Sequence, residues 1–386
     1  MIDALIQFVR AQYQTSGLVP LHAPIFLGRE KEFVCNALDS TFVSSVGQYV
    51  DKFEQQICEY TNSPSAVATV NGTAALHVAL KLAGVRGNDL VITQSLTFVA
   101  TCNAIAYCNA EAVFMDVNRQ SLGLCPKSMK NWLEENAYIS DSGECTVKSG
   151  NRVIRAAIPM HTFGHPVDLD ELVDVCRDWR IVLIEDAAES LGSLYKGRHT
   201  GTFGQFGTLS FNGNKIITTG GGGMVLSGKE QGIKAKHITT TAKIPHAFEY
   251  VHDEVAYNYR LPNLNAALGC GQMESLEDYI LSKRQLAERY CEFFSRMDCE
   301  FVTEPQDCRS NYWLNSIICS NRKQKDEVLE HTNKVGIQTR PIWRPMHKLQ
   351  MFENWAKADL AVTEWLSERV VNLPSSVLPI SSEGGM

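Results

Sequence analysis

The feature that most constrains the fold is a short apolar run, Ile181-Val-Leu-Ile184, that ends on two carboxylates, Glu185 and Asp186. Four consecutive apolar residues suit a strand buried on both faces, the hallmark of a parallel sheet sandwiched between helices. The surroundings repeat the theme. Residues 90–93, 112–117 and 153–159 read as strands, and 207–211 and 223–226 as two more. Between them, 74–83 and 97–107 read as helices, the first stopped by Gly84, and Asp168-Leu-Asp-Glu171 is a capping box that opens a helix ending near Arg180. Strands alternating with helices predict an α/β domain with a mostly parallel sheet.

After Pro262 the texture changes. Residues 263–297 read as one long helix weakened only by Gly269 and Gly271. A strand (312–319), a charged helix (322–335), a strand (336–342) and two helices are expected to follow, making a smaller α+β domain. The division is therefore placed at 1–262 and 263–386, with residues 381–386 as a mobile tail. The first 14 residues read as an amphipathic helix and not as a signal peptide, since Asp3 and Arg10 interrupt the apolar pattern. No apolar run is long enough to span a bilayer. A net charge of −7 argues against a general nucleic-acid binder. The 12 cysteines show no ligand spacing and no C-x-x-C, so reduced thiols in a cytoplasmic protein are expected and no metal site is.

Four local features carry chemistry. Val67-Ala-Thr-Val-Asn-Gly-Thr73 leads straight into an Ala-rich helix. A strand, a tight turn and a helix N-terminus present free N–H groups to an anion, with Gly72 allowing close approach and Thr73 adding a hydroxyl. An ordinary strand-to-helix turn would look the same. Asp186 closes a buried parallel strand, where ligands gather, and a carboxylate there needs a partner. A pyridinium nitrogen is one such partner; capping the next helix is the plainer role. Lys215 stands between the strand around Ser210 and the run Gly220-Gly-Gly-Gly223, neither a Walker loop nor a dinucleotide fingerprint. Burial there would favour the neutral amine that covalent chemistry requires, whereas a surface lysine beside a turn is the plainer alternative. Finally, Tyr257-Asn-Tyr-Arg260 places polar Asn258 and Arg260 among aromatics before the long helix.

Taken in order, Asn71-Gly-Thr-Ala-Ala-Leu76, Glu185-Asp-Ala-Ala188, Ser210-Phe-Asn-Gly-Asn-Lys215 and the stretch from Tyr257 to Ala267 closely resemble the DegT/DnrJ/EryC1/StrS sugar aminotransferases, over roughly residues 20–375. The resemblance implies an aspartate-aminotransferase-type fold (fold type I) and pyridoxal 5′-phosphate, cycling through its pyridoxamine form. It implies that Lys215 holds the cofactor as a Schiff base and shuttles the proton. Asp186 would bind the ring nitrogen, Gly72, Thr73 and Ser210 the phosphate, and Phe98 would stack on the ring. Asn258 would reach the phosphate in a partner subunit's site, so a homodimer is implied. Glu189 falls beside the ring, where many relatives carry Gln or His. L-glutamate is the implied amino donor.

The stretches 20–28, 39–47 and 97–101, with Arg340-Pro-Ile-Trp-Arg-Pro-Met-His347, resemble the branch that makes 4-amino sugars for legionaminic-acid-type surface glycans. The acceptor implied is a nucleotide-linked 2-acetamido-2,6-dideoxy-4-keto-hexose, carried on UDP. Ser44 and Ser45, with Gly47, could face its pyrophosphate, or form a capped turn before a helix. Arg344 and His347 could reach the sugar or diphosphate, or lie on the surface, and His161 is expected near the pocket. A 3-keto or dTDP/GDP-linked sugar is the alternative acceptor, and a cofactor-binding regulator without turnover the third reading.

Overall fold

The computed structural model describes residues 1–378, so the expected tail at 381–386 lies outside the described residues. Seven strands form the main sheet: β1 (Ser65–Thr69), β2 (Leu90–Gln94), β3 (Glu111–Met115), β4 (Ile154–Ile158), β5 (Val182–Asp186), β6 (Phe206–Ser210) and β7 (Gly223–Ser227). Their order is β1-β7-β6-β5-β4-β2-β3. From β6 to β3 all neighbours run parallel, as expected, whereas β7 is antiparallel to both β6 and β1.

The period of two sorts the sheet's side chains onto two faces. Val91, Ala156, Ile184, Phe206 and Val225 meet the helices Gly72–Leu82, Val99–Tyr107 and Lys229–Thr239. Leu90, Ile92, Val113, Ala157 and Leu183 meet Pro126–Asn136 and Leu169–Asp178. The Asp168 side chain caps the latter by accepting from the Glu171 N–H at 3.4 Å. At the β1 end, Ala66, Ala68, Leu209 and Met224 pack with Phe53 and Ile57 of helix Gln48–Thr61 and with Ala266 and Cys270. The result is a three-layer sandwich in which the carboxyl ends of the parallel strands and the start of antiparallel β7 share one edge of the sheet.

The single long helix expected over 263–297 is two helices, Asn263–Met273 and Leu276–Phe294. Their glycines are contact points. A Cβ on Gly271 would lie 2.7 Å from Glu30 Cα, and one on Gly269 would lie 2.9 Å from the Phe53 ring. Backbone contact with helices Glu30–Asp39 and Gln48–Thr61 thus outweighs the helical cost of glycine. The second, smaller sheet comprises β8 (Cys299–Phe301), β9 (Asn315–Cys319), β10 (Arg340–Pro341) and β11 (Val370–Leu373), all antiparallel in the order β8-β9-β11-β10. The strand expected over 336–342 is thus only two residues long, and the two helices expected after it are one α-helix, Ala361–Ser367, preceded by two short 3-10 turns, Met346–Lys348 and Gln350–Phe352.

Two packing facts bear on the proposed division at residue 262. Leu5 and Val9 of helix Ile2–Tyr13 lie in the smaller domain's core with Leu286, Tyr290, Ile317 and Val371. Conversely, Ala266 and Cys270 belong to the core of the large sheet. Among the described residues no helix is long and apolar enough to cross a membrane.

Candidate active site

Sheet register builds the site. Gly223, at the start of β7, pairs with Thr69 of β1 on one side and Ser210 of β6 on the other. The Asn71-Gly72 turn therefore folds over Gly223, where a Cβ would fall 2.4 Å from the Asn71 carbonyl oxygen and 2.7 Å from the Gly72 nitrogen. Gly72 in turn faces Ser210, whose Oγ would be 3.2 Å from a Cβ placed on it. Asn71 caps helix Gly72–Leu82 by accepting from the Ala74 N–H at 2.8 Å. The N–H groups of Gly72 and Thr73 bond to no described residue, and they point from a helix N-terminus into a cavity that Ser210 also lines.

That cavity measures about 370 Å³. The structure brings Gly72, Thr73, Phe98, Asp186, Glu189, Ser210 and Lys215 together around it. Asp186 ends β5 and accepts from the Thr101 hydroxyl at 2.8 Å and from the Ala188 N–H at 3.2 Å. Burial pushes its carboxyl above the usual range, against the pull of Thr101, Ala188, Lys215 and His161. Among the described residues no cation lies within ion-pair distance of it.

Lys215 reaches the same space from the loop after β6. The Trp313 indole N–H, donating to the Asn214 carbonyl at 2.7 Å, anchors that loop. The Lys215 Nζ sits 4.1 Å from the Trp313 ring centroid and 3.3 Å from Glu189 Oε1. The other Glu189 oxygen accepts from the Phe163 N–H at 2.9 Å. Burial pushes the Glu189 carboxyl up to about 7, although Lys215 and the Phe163 N–H oppose the shift. The donor that a carboxylate beside the ring requires is thus present in the chain itself.

Five expected substrate contacts fall elsewhere. His161 is fully buried, accepting on Nδ1 from the Val167 N–H at 3.3 Å and bonding through Nε2 to Glu185 Oε2 at 3.1 Å. Glu185 also accepts from the N–H groups of Gly201, Phe203 and Gly204, so the pair clamps the loop that enters β6. His347 is likewise taken: Nδ1 bonds to Ser95 Oγ at 2.7 Å and Nε2 to Glu364 Oε1 at 2.8 Å. It ties the end of β2 to helix Ala361–Ser367 and stands outside the lining of the catalytic cavity.

Ser44 and Ser45 lie on an exposed loop outside the cavity. Asn263 holds that loop, its Oδ1 accepting from the Tyr49 N–H at 3.0 Å and its Nδ2 donating to the Phe42 carbonyl at 2.6 Å. The plainer reading of a capped turn before a helix describes them. Arg344 is exposed and lines a neighbouring groove instead. Asn258 is exposed as well, accepting from the Arg260 guanidinium at 3.0 and 3.1 Å, outside its own chain's cavity.

Sequence reasoning passed over the aromatic walls Trp313 and Trp343, the loop residues Asn212 and Asn214, and Thr101 beneath Asp186. Trp343 was within reach, because it stands inside the Arg340–His347 motif. Nothing local marks Trp313.

Pyridoxal phosphate fits these residues on three counts. A buried carboxylate without a cation matches a protonated ring nitrogen. Free N–H groups beside a hydroxyl match a phosphate. A lysine amine projects between them. Fold and pocket together define a fold-type-I, pyridoxal-phosphate-dependent aminotransferase. Residues 27–379 match the model of the DegT/DnrJ/EryC1/StrS aminotransferase family, and the chain belongs to that family.

Among its relatives, EpsN of Bacillus subtilis is 36% identical over 371 residues, covering 95% of this chain and 92% of its own. GDP-perosamine synthase of Escherichia coli O157:H7 is 36% identical over 359 residues, covering 92% and 93%. The crystal structure of the aminotransferase TlmJ from Streptoalloteichus hindustanus shares the fold, with a TM-score of 0.84 at 24% identity over 93% of this chain and 94% of that one.

Proposed function

We propose that this enzyme moves an amino group from L-glutamate to the 4-keto carbon of a nucleotide-linked 6-deoxy-hexose. The observation that carries the reading is one cavity holding Lys215, the cation-free carboxylate of Asp186 and the free donors of Gly72, Thr73 and Ser210. When bound, the cofactor supplies an electron sink for the pair left by a departing α-proton. Asp186 keeps the ring nitrogen protonated, which burial without that partner would disfavour. The N–H groups of Gly72 and Thr73 and the Ser210 hydroxyl bind the phosphate, and Phe98 stacks on the ring. Lys215 would anchor the cofactor; freed by the incoming donor amine, it would take the proton from the donor's α-carbon as a base and deliver it as an acid to the cofactor carbon that carries the donor nitrogen. Glu189, bonded to Lys215 and titrating near neutrality, orients the amine and offers it an acceptor. Asn258 faces outward to complete a partner subunit's site in a homodimer.

The acceptor we favour is the UDP-linked 2-acetamido-2,6-dideoxy-4-keto-hexose of the legionaminic-acid-type branch, on the strength of stretches 20–28, 39–47 and 340–347. A GDP-linked 4-keto sugar is the second reading, supported by 36% identity with GDP-perosamine synthase. Incubating holoenzyme with glutamate and each keto sugar, with product followed by mass spectrometry, tests both. Preference for the UDP sugar by kcat/KM is expected, and preference for the GDP sugar selects the second reading. The proposal fails when glutamate changes the cofactor absorbance yet neither sugar is aminated.

A further inference from the structure

We infer that the groove outside Trp343 is the seat of the acceptor's nucleoside diphosphate, bound by Arg344, Arg322 and Lys325. The inference rests on the reading of the acceptor as a nucleotide sugar. Two adjoining spaces share one wall. Trp343 lines both the catalytic cavity and a groove of about 270 Å³, whose rim carries Arg322, Lys325, Arg344 and Lys348 against a single carboxylate, Glu368.

Charge divides the labour between them. The catalytic cavity holds two carboxylates, Asp186 and Glu189, and one cation, Lys215. Its free donors are those assigned to the cofactor phosphate. A diphosphate placed there would meet like charge at close range. The groove is cationic on a chain whose net charge is −7. A neutral sugar therefore faces Lys215 while the anionic part passes Trp343 into the groove. Contacts to Phe98 and Phe163, at ring separations of 6.3 and 5.0 Å, hold Trp343 in place as the partition.

A second observation points to an anion independently. Arg322 and Lys325 stand in the first turn of helix Arg322–Lys334, which has no acidic residue in that turn. Cations there oppose the helix dipole, a local cost that a bound anion would remove. Arg344, exposed, bonds to no described residue, so its guanidinium is free to take a phosphate bidentately. Lys325 donates to the Ser367 carbonyl at 3.0 Å, which fixes its ammonium over the groove. Lys348 is already paired with Glu364, and Arg322 lies 3.7 Å from Asp326 one turn along its helix, so Arg344 and Lys325 are the more available of the four.

Calorimetric titration of the holoenzyme with UDP, GDP and inorganic pyrophosphate tests the assignment. Arg344→Ala, and separately the double change Arg322→Ala with Lys325→Ala, should each weaken nucleoside diphosphate binding roughly tenfold. Both should raise KM for the nucleotide keto sugar in proportion, with kcat held within about twofold. Lys323→Ala, on the same helix but outside the groove, should bind as the unaltered enzyme does. The cofactor absorbance reports that each variant is folded and loaded. Equal affinities across all variants would overturn the groove, as would the unaltered enzyme binding none of the three anions. Continued amination of a nucleotide sugar in either case leaves the reading of the acceptor standing. Its absence with every nucleotide sugar removes that reading as well.

Discussion

Thr101→Val isolates how the strand-end carboxylate is kept ready. The change preserves shape and deletes one hydroxyl, at a position with no solvent exposure. That hydroxyl donates to Asp186 Oδ2 at 2.8 Å, and the carboxyl's other bond is the Ala188 N–H at 3.2 Å. A hydrogen bond to a charged group contributes about 1.5–3 kcal/mol. Burial already pushes the Asp186 carboxyl up, and Thr101 is the largest influence pulling it back. Without the hydroxyl the carboxyl shifts further toward its protonated form, which cannot pair with a protonated ring nitrogen. The bond exists before and after the cofactor arrives, so only the part that strengthens on binding counts. About half of the upper figure, near 1.4 kcal/mol, corresponds to roughly tenfold in cofactor affinity. The assay is a titration of cofactor-free protein with pyridoxal phosphate, followed by absorbance from pH 6 to 9. Thr101→Val should bind roughly tenfold more weakly throughout. An unchanged dissociation constant would show that Asp186 does not depend on this hydroxyl, and that the buried-carboxylate argument for the ring nitrogen is unsound.

Three further outcomes follow from the same geometry. Glu189→Gln should flatten part of the pH dependence of cofactor-free stability. The folded chain holds a proton on Glu189 up to about 7 that the unfolded chain releases near 4.5. That stabilisation is full below pH 4.5 and is lost as pH rises through 7, about 3 kcal/mol in all; parallel denaturation profiles for the two proteins would refute it. Gly223→Ala places a methyl 2.4 Å from the Asn71 carbonyl oxygen. It should cost about 1–3 kcal/mol of stability and loosen cofactor phosphate binding, read as a lower melting temperature and a weaker dissociation constant. His347→Ala removes bonds to Ser95 and Glu364 from a buried side chain. It should lower the melting temperature by the equivalent of about 2 kcal/mol while KM for the keto sugar stays unchanged; a raised KM at unchanged melting temperature would restore it as a substrate contact.

Legibility tracked how local the deciding interaction is. The run 181–184, the Asp168 cap and the Gly72–Thr73 turn speak for themselves, because a strand, a cap and a helix N-terminus are properties of a few neighbours. The antiparallel course of β7 was hidden, since a central strand flanked by β1 and β6 is as apolar as a parallel one. The glycines at 269 and 271 misled because their reason, contact with Phe53 and Glu30, lies more than 200 residues away in sequence. The motif from Arg340 to His347 makes the general case. It announces residues arriving at the site but not the direction of each. Trp343 forms the wall of the cavity, Arg344 turns to the outer groove, and His347 points inward to Ser95 and Glu364. His161 is turned from the pocket in the same way by Glu185 and Val167. The orientation of each histidine is chosen by the partners that satisfy its buried ring nitrogens, and those partners are visible only once the chain has folded. The resemblance of four ordered motifs therefore pointed to Lys215 and Asp186, where residue type and spacing alone left plainer roles open, while the walls of the cavity and of the outer groove are defined only by side-chain directions.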